Sequence, residues 1–451
     1  MENTHKKRIF KAGSWVVIGH LLSQLIRLGG NLLLTRLLAP EMFGVMAIVQ
    51  VMLMGVQMMS DLGLGQSIIQ SKKGGEVGFI NTAWTLQVIR GWLLWLIICL
   101  LAALLWGANA SGYINSNQVY GHPLLPWLMV TVGISSVISG FNSTAIYQVN
   151  RNLMLGRLTV INLTAQIVAL FFIVIIAWRY ETIWALAIGS LVASFIDMLG
   201  SHKFLPGIKN KLHCDKAALS ELFHFGKWIF LSSAIGFVAN QGDRLILGGL
   251  LTAEMLGIYS IAFMLSNLPV TIVSQLSHKV LFPNFSRINR EFPKQLKSSL
   301  TRSKLWLSII VMPVTGVLMS CTQFIVDFMY DERYIAAGWM MSLLLLRVAA
   351  GCMLIPNALV LMAKGLPQYS TISAALKAIF LFIALPLVFN QFGVEKMVMT
   401  IGLSGLVNIP VMWFALKKHK LFSFKIEIFS IMLLVIGFIV GSYLSKIWSY
   451  T

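Results

Sequence analysis

The chain has 451 residues, of which 57% are hydrophobic and only 11% are charged. Soluble globular proteins carry about 25% charged residues, so this composition excludes an ordinary soluble domain and indicates that lipid is the main solvent of the chain. The net charge of +19 does not indicate a nucleic-acid partner, because the basic residues lie in short segments between apolar runs, which is typical of membrane proteins.

Hydropathy predicts thirteen membrane-spanning helices, each able to cross a hydrocarbon core of roughly 30 Å. The predicted spans are 12–34, 43–69, 79–106, 123–148, 157–178, 182–204, 226–251, 256–282, 304–326, 336–363, 368–389, 394–416 and 425–446. The first span follows a charged start and is too long for the apolar core of a signal peptide, so we predict that it spans the membrane.

The charge between the spans alternates along the chain. If the N-terminus is inside, the inside segments are basic and carry Lys72, Lys73, Arg151, Arg157, Lys203, Lys209, Lys211, Lys216, Arg287, Arg290, Lys294, Lys297, Arg302, Lys417, Lys418, Lys420 and Lys425. The outside segments are poor in Lys and Arg, and the segment GANASGYINSNQVYGHP contains neither. This pattern predicts a multi-pass protein whose N-terminus is cytoplasmic. Because the number of spans is odd, the C-terminus is expected outside.

An internal repeat begins each half of the chain, at a constant offset of 213 residues. The matched pairs are Gly13 and Gly226, Trp15 and Trp228, Glu41 and Glu254, Met42 and Met255, and Gly44 and Gly257. Six spans separate the two copies, so both copies have the same orientation in the membrane. We therefore expect an all-α integral membrane fold with two six-helix lobes related by a parallel repeat, plus an extra C-terminal helix.

The repeat also divides the chain into predicted domains. They are an N-terminal lobe at 1–204, a cytoplasmic linker at 205–225, a C-terminal lobe at 226–418 and an extra transmembrane helix at 419–451. Two lobes that meet at a central axis are one form of secondary transporter, in which the substrate binds near the midplane between the lobes. The sequence therefore predicts a transporter.

Five basic residues fall well inside apolar spans and are the candidate substrate-binding residues. They are Arg27, Arg90, Arg244, Arg347 and Lys377. A charge at a helix centre is unfavourable by roughly 2.5–3.5 kcal/mol on insertion scales, so these side chains should face a wet cavity or a partner. A cationic cavity suits a pyrophosphate, because charge-assisted hydrogen bonds replace its lost water. Alternatively, Arg90 reaches the inner interface by snorkelling. Asp243 and Arg244 are neighbours on a helix and do not face each other, so each needs its own partner, and an ion pair that packs the lobe is the alternative to ligand contact.

The acidic residues inside spans are candidates for ion or proton coupling. Asp61 and Asp243 are assigned that role, because a buried carboxylate can exchange a proton near neutral pH. Alternatively, Asp61 ends its helix before Gly63 and Gly65. Asp197 lies near the inner end of its span and is expected to pair with a loop lysine. The sequence predicts neither a metal site nor a cofactor.

Four stretches resemble one known family. They are LLTRLLAPEMFGVMAIVQ with SDLGLGQSIIQ, NQGDRLILGGLLTAEMLGIYSIAF, VLFPNFSRINRE and FMYDERYIAAGWMMSLLLLRV. Together they resemble the polysaccharide transport proteins, which are Wzx-type oligosaccharide flippases of the multidrug/oligosaccharidyl-lipid/polysaccharide (MOP) exporter superfamily. The resemblance implies two six-helix lobes, alternating access and no covalent chemistry. It also implies a lipid-linked oligosaccharide as cargo, a bacterial inner membrane, and a polysaccharide polymerase complex as a partner.

Two other classes of function remain open at this point, a multidrug exporter and a membrane enzyme. A cation-coupled multidrug exporter of the same superfamily would have an acidic or aromatic cavity, whereas the basic residues inside the spans outnumber the acidic ones. A lipid-linked polysaccharide polymerase would carry a large outer loop, and a glycosyltransferase would carry a cytoplasmic carboxylate cluster or metal site. The predicted loops show neither feature, so the sequence favours a flippase.

Overall fold

The computed structural model describes residues 2–60, 63–71, 73–151 and 154–449. The helices of the first part are α1 (Glu2–Leu37), α2 (Pro40–Met58), α3 (Leu64–Gln70), α4 (Val77–Ala110), α5 (Leu125–Gly140), α6 (Ala145–Arg151), α7 (Leu155–Tyr180), α8 (Trp184–Lys203) and α9 (Lys216–Gly248). A 3-10 turn at Val119–Gly121 precedes α5. No strand occurs in these ranges.

The second part is also helical. Its helices are α10 (Ala253–Ser266), α11 (Leu268–Leu276), α12 (Phe282–Glu291), α13 (Leu296–Ser320), α14 (Thr322–Met329), α15 (Ala337–Ala363), α16 (Gln368–Leu403), α17 (Asn408–Lys418) and α18 (Phe424–Ser449). The short elements are a π-helical turn at Ser277–Leu281 and 3-10 turns at Pro293–Gln295, Glu332–Tyr334 and Ser404–Val407. All backbone hydrogen bonds of a helix are internal, which is why apolar segments in lipid fold this way.

Nine helical segments of the described chain are long and apolar enough to cross a membrane, counting 253–291 and 368–418 as one segment each. A tenth forms if α5 and α6, bent by 62°, count as one span. Thirteen spans were predicted. Residues 368–418 account for part of the difference, because they form one 51-residue segment that contains two predicted spans. Helices α1 and α9 lie outside the nine, although their 36 and 33 residues are long enough to span. The predicted all-α, multi-pass membrane fold is confirmed.

The chain packs as two compact units. Unit 1 consists of Met1–Phe237 with Leu251–Glu254, and unit 2 consists of Val238–Leu250 with Met255–Thr451. Helix α9 begins at Lys216 rather than at the predicted residue 226, because the preceding polar residues KAALSELFHF continue the helix beyond the apolar run. The predicted lobe boundaries at 204, 226 and 418 stay a prediction.

The helix ends follow the sequence repeat. Shifting α1 by 213 residues places its ends at 215 and 250, next to the observed ends of α9 at Lys216 and Gly248. The same shift carries the start of α2 at Pro40 onto the start of α10 at Ala253. The two copies therefore share their helix pattern as well as their matched residues.

The polar residues between α8 and α9 form an extended strap (208–215) that is bound within unit 1. The backbone N–H groups of Lys211, His213 and Asp215 donate to side chains near the start of α4. Their acceptors are Asn81 Oδ1 at 3.1 Å, Thr85 Oγ1 at 2.9 Å and Thr82 Oγ1 at 3.0 Å, respectively. Alternate residues bind because successive groups of an extended chain point to opposite sides. The predicted cytoplasmic linker is thus a fixed segment of unit 1 over these residues.

The C-terminal helix α18 is locked onto α13 within unit 2. Lys304 Nζ forms an ion pair with a carboxylate oxygen of Glu427, and both side chains are only 3% exposed. One turn further, the Ser308 and Ser430 hydroxyls lie 2.7 Å apart. At Gly437 a Cβ atom would lie 2.3 Å from the carbonyl oxygen of Pro313, so only glycine permits this close approach of the helices. The appended helix is therefore an integral part of unit 2.

Helix α16 is broken at Gly393. This residue has φ 78° and ψ −168°, a conformation that favours glycine because it has no Cβ atom. The position lies between the predicted spans 368–389 and 394–416. The break therefore supplies the turn that the sequence predicted between these two spans.

Candidate cationic site

An ion pair joins α9 to α15 within unit 2. Arg347 Nη1 donates to Asp243 Oδ2 at 3.0 Å, and the two side chains are 15% and 2% exposed. The Tyr259 hydroxyl donates to the same oxygen at 3.4 Å, and the backbone N–H of Arg244 donates to Oδ1 at 3.0 Å. A buried charge is tolerated only when it is paired and hydrogen-bonded, and Asp243 meets both conditions. The carboxylate therefore anchors Arg347.

Two guanidinium groups stack on one aromatic ring. The Cζ atoms of Arg244 and Arg347 lie 4.0 Å and 4.6 Å from the centroid of the Phe263 ring. The negative face of an aromatic ring attracts a cation, and the planar, weakly hydrated guanidinium stacks well on it. Phe263 on α10 therefore stabilises two like charges at one place. Nothing in the sequence singles out this residue, because a phenylalanine in an apolar span is indistinguishable from ordinary core.

Two amide side chains, one on α9 and one in the turn between α10 and α11, orient the two guanidinium groups. Arg347 Nη2 donates to Asn267 Oδ1 at 3.4 Å, and Arg244 Nη1 donates to Gln241 Oε1 at 3.3 Å. Arg244 Nε is buried and has no hydrogen-bond partner in the described chain. Because an unsatisfied buried donor is unfavourable by about 1–3 kcal/mol, Arg244 has an unused capacity to bind an acceptor.

Lys377 on α16 adds a third cation to this group. It is half-buried and interacts electrostatically with both Arg347 and Asp243. Within the described chain it makes no side-chain hydrogen bond. We call Asp243, Arg244, Phe263, Arg347 and Lys377 the cationic cluster. Among these residues three cations face one carboxylate, so the cluster carries an excess of two positive charges inside membrane-spanning helices.

Arg27 lies on the polar side of α1, in unit 1. The polar residues at intervals of three or four are His20, Ser23, Gln24, Arg27, Asn31 and Thr35. This spacing places them on one face of a helix. Around the helix axis, Arg27 lies about 160° from the exposed apolar Leu25. Ser23 Oγ donates to Gln166 Oε1 on α7 at 2.9 Å. Arg27 is exposed, and it lies on the face opposite to the apolar one.

Arg90 is engaged at the end of another helix of unit 1. Its Nη2 donates to the carbonyl oxygen of Gln57 at 2.8 Å and its Nε donates to Ser60 Oγ at 3.1 Å. Gln57 lies in the last turn of α2, whose final carbonyl groups have no partner within the helix. A basic side chain at this position compensates the helix dipole. Arg90 therefore caps α2, a role that the sequence did not reveal.

The seven predicted site residues thus fall into three groups. Four of them lie together in the cationic cluster: Asp243, Arg244, Arg347 and Lys377. Arg27 and Arg90 belong to unit 1, and each has separate surroundings. Asp61 lies outside the described residues.

Asp197 differs from its expected environment. It was expected to pair with a loop lysine, but it forms no ion pair within the described chain, and its Oδ1 atom is buried without a hydrogen-bond partner. The reason is that the nearest lysine on α8, Lys203, lies six residues beyond Asp197, and only residues three or four apart are neighbours on a helix surface. In the ranges that the structure describes, no three His, Cys, Asp or Glu side chains form a group able to hold a metal ion.

Comparison with known proteins places this arrangement in a family. The model of the family described as "Polysaccharide biosynthesis protein" matches residues 33–338. The chain belongs to this family. The match includes the first two resembling stretches, the cluster residues Asp243, Arg244 and Phe263, and most of unit 1, so the resemblance predicted from the sequence is confirmed.

Two relatives are identical to this polysaccharide biosynthesis family protein at about a fifth of the aligned residues. The teichuronic acid biosynthesis protein TuaB of Bacillus subtilis (strain 168) is 22% identical over 319 residues, which are 68% of this chain and 62% of TuaB. The lipopolysaccharide biosynthesis protein WzxC of Escherichia coli (strain K12) is 22% identical over 334 residues, which are 73% of this chain and 64% of WzxC. The chain therefore spans less than two thirds of either relative.

Solved structures show the same fold. The lipid II flippase MurJ in an inward closed conformation has a TM-score of 0.70 at 13% identity, with 96% of this chain and 99% of MurJ covered. An inward-facing multidrug resistance MATE family transporter of the MOP superfamily has a TM-score of 0.61 at 10% identity, with 94% and 95% covered. The fold is therefore that of MOP superfamily transporters.

Proposed function

We propose that this protein is a flippase that moves a polyprenyl-pyrophosphate-linked oligosaccharide from the inner to the outer leaflet by alternating access. The observation that carries the proposal is the excess of two positive charges in the cationic cluster of unit 2. A buried cation without a counter-charge is unfavourable, so a cluster of this kind is expected where an anion binds transiently. The pyrophosphate supplies that anion.

The chemistry of the cluster suits a pyrophosphate in several respects. Arginine presents a planar fork that binds two phosphate oxygens at once, and Arg244 Nε has no internal partner that must be displaced. Lys377 can contribute a charge without breaking a hydrogen bond within the described chain. Gln241 and Asn267 are amides that lie next to the two guanidinium groups. With a pyrophosphate bound to these groups, the adjoining sugar would lie beside the amides, which can hydrogen-bond its hydroxyls.

The relatives support the same class of cargo. TuaB and WzxC are named for the biosynthesis of teichuronic acid and lipopolysaccharide, respectively, and MurJ is named a lipid II flippase. Transport needs no covalent chemistry, because a difference in affinity between two conformations is sufficient. Arg27 on the polar face of α1 is a further proposed contact for the head group. Coupling to a proton or another ion at Asp61 and Asp243 stays a prediction.

The test is flipping of a defined lipid-linked oligosaccharide in reconstituted vesicles. Arg244→Ala, Arg347→Ala, Lys377→Ala and Arg27→Ala are each expected to slow flipping about tenfold or more, because each removes a charge-assisted hydrogen bond. Arg333→Ala is the matched control, since Arg333 lies in the loop before α15 and pairs there with the exposed Asp331. Unchanged flipping in all four variants would contradict the proposal, and so would transport of cationic dyes alone.

The proposed setting is the bacterial inner membrane, with the N-terminus in the cytoplasm and a polysaccharide polymerase complex as a partner. The basic segments between the spans support this orientation. Reporter fusions after Lys203 and after Tyr113 test it, because the first is expected to be active only as a cytoplasmic reporter and the second only as a periplasmic one. Identical behaviour of both fusions would contradict the orientation.

A further inference from the structure

A polar cavity of about 490 Å³ lies between α12 and α13 in unit 2. Its polar lining residues are Asn284, Gln295, Ser298, Ser299, Arg302 and Ser303. The volume falls in the range of roughly 300–1,000 Å³ that is typical of small-molecule sites. The cavity belongs to the basic segment that the charge pattern predicts to be cytoplasmic. It shares no residue with the cationic cluster.

The polar groups of this cavity are not used by the fold. None of the six side chains makes a hydrogen bond or ion pair with another described residue. The adjacent Thr301 shows the usual alternative, because its hydroxyl donates to the carbonyl oxygen of Lys297 at 3.0 Å. Polar side chains that converge on one cavity without internal partners are a set of hydrogen-bonding groups available to a ligand.

The positive charge around the cavity favours an anionic ligand. Residues 287–302 contain five basic residues and one acidic residue, Glu291. Arg302 is the one basic residue that lines the cavity, whereas Lys294 and Lys297 are exposed beside it. The single positive charge in the lining, that of Arg302, therefore matches one negative phosphate charge. A second negative charge would find no cation in the lining.

The cavity opens where the surface of α13 changes from polar to apolar. Arg302 is exposed at the polar end, and Trp306 lines the cavity while 59% of it is exposed. On the following turn, Ile309 and Ile310 are also exposed. Tryptophan is typical of the membrane–water interface. A ligand in this cavity would therefore keep its head group beside Arg302 while acyl chains run along the apolar surface that starts at Trp306.

We propose that this cavity binds the head group of an anionic phospholipid of the cytoplasmic leaflet, with a preference for a head group that carries free hydroxyls, as in phosphatidylglycerol. Arg302 binds the single phosphodiester charge. The five neutral side chains, which are amides and hydroxyls, hydrogen-bond the glycerol hydroxyls. Basic pockets between membrane helices on the cytoplasmic side are a general form of lipid recognition. The site is independent of the cargo, because no residue of the cationic cluster contributes to it.

The experiment measures lipid retention by the full-length protein. Native mass spectrometry of the purified chain with added phosphatidylglycerol counts bound lipids, and Arg302→Gln is expected to weaken binding about tenfold or more. Lys297→Gln is the matched control, since it removes the same charge five residues earlier on α13, at an exposed residue that does not line the cavity. Equal losses in both variants would overturn the proposal, because they would show attraction to the basic segment rather than a site.

Two further arms define the ligand. The double variant Ser299→Ala with Ser303→Ala is expected to reduce the preference for phosphatidylglycerol over phosphatidic acid about threefold, while binding of phosphatidic acid changes little. An unaltered preference would overturn the assignment of the hydroxyls. Free glycerol phosphate at millimolar concentration should not displace the lipid, and full displacement would instead identify a site for soluble anions. Thermal unfolding of each variant verifies that the fold is retained.

Discussion

Unit 2 contains two buried ion pairs that differ in one respect. Lys304 and Glu427 join α13 to α18, and both side chains are 3% exposed. The positive charge of Lys304 is balanced by the one negative charge of Glu427. Arg347 and Asp243 join α15 to α9, but two more cations, Arg244 and Lys377, lie beside them. The first pair is electrically complete, whereas the second leaves an excess of positive charge. Burial of an ion pair therefore does not distinguish structure from function, but charge balance does.

The two pairs also differ in their neighbours. Next to Lys304 the polar contact is the Ser308–Ser430 hydrogen bond, and further along the same two helices the backbones approach closely at Gly316 and Gly437. Around Arg347 there is an aromatic ring, an amide and a donor without a partner. Tight packing without an unused polar group is typical of a structural contact. An unused donor beside excess charge is typical of a binding site.

The largest effect is expected when the balanced pair is broken. Glu427→Leu leaves Lys304 buried without a counter-charge and should destabilise unit 2 by about 3–5 kcal/mol. Lys304→Met combined with Glu427→Leu should restore most of this stability, because an apolar pair of similar volume is often neutral. Thermal unfolding in detergent measures both changes. If the double variant also stopped transport, the pair would have a functional role and the comparison would fail.

A smaller effect is expected when the unbalanced pair loses its carboxylate. Asp243→Asn raises the charge excess from two to three and should destabilise the protein by about 1–3 kcal/mol, because Arg347 keeps its contacts with Phe263 and Asn267. An added lipid-linked pyrophosphate should raise the unfolding temperature more in this variant than in the wild type. An equal rise in both proteins would indicate that the ligand binds elsewhere.

The aromatic ring makes a weaker contribution. Phe263→Leu keeps an apolar side chain but removes the cation–π contact of Arg244 and Arg347, which is worth about 0.5–2 kcal/mol. Flipping at low cargo concentration should fall roughly threefold, and Phe263→Trp should restore it. Binding of the fluorescently labelled cargo by each variant measures the change. Equal affinity of the wild type and of Phe263→Leu for the cargo would show that the ring contributes only apolar volume.

The smallest effect is expected at an exposed pair outside the membrane. Arg333 and Asp331 form a hydrogen-bonded pair in the loop before α15, which raises the pKa of Arg333 above its usual range. Arg333 therefore stays charged across the physiological range, and no pH dependence of stability should arise from it. Arg333→Ala should change stability by less than about 1 kcal/mol and leave flipping intact. A larger change in unfolding temperature would show that the exposure of an ion pair does not by itself predict a small contribution to stability.

The sequence predicted the fold because the fold is set by hydropathy, loop charge and the repeat. Each of these is a local or periodic property. The predicted turn between 389 and 394 coincides with Gly393, and the repeat coincides with the helix ends. The starts of helices were less predictable, since polar residues such as Lys216 continue α9 beyond the apolar run.

The site could be predicted only as a set of candidates. The spans identify Arg244, Arg347 and Lys377 as unusual, but the contact between Arg347 and Asp243 joins residues 104 positions apart and has no local signal. Arg90 appeared equally unusual and proved to cap a helix. The repeat offers a partial guide, because the offset of 213 places Gly30 opposite Asp243. A charged residue opposite a glycine marks a position where the copies have diverged.

The strap at 208–215 has a consequence for how this architecture can be rearranged. Its backbone is hydrogen-bonded to Asn81, Thr82 and Thr85 of the first half. The segment is therefore a structural part of that half and not an independent linker. A chimera that exchanges second halves between homologous proteins should therefore be joined after Asp215, not after Lys203. A join at the earlier point would introduce a foreign connecting segment, whose length and path decide whether its backbone N–H groups still reach these three acceptors.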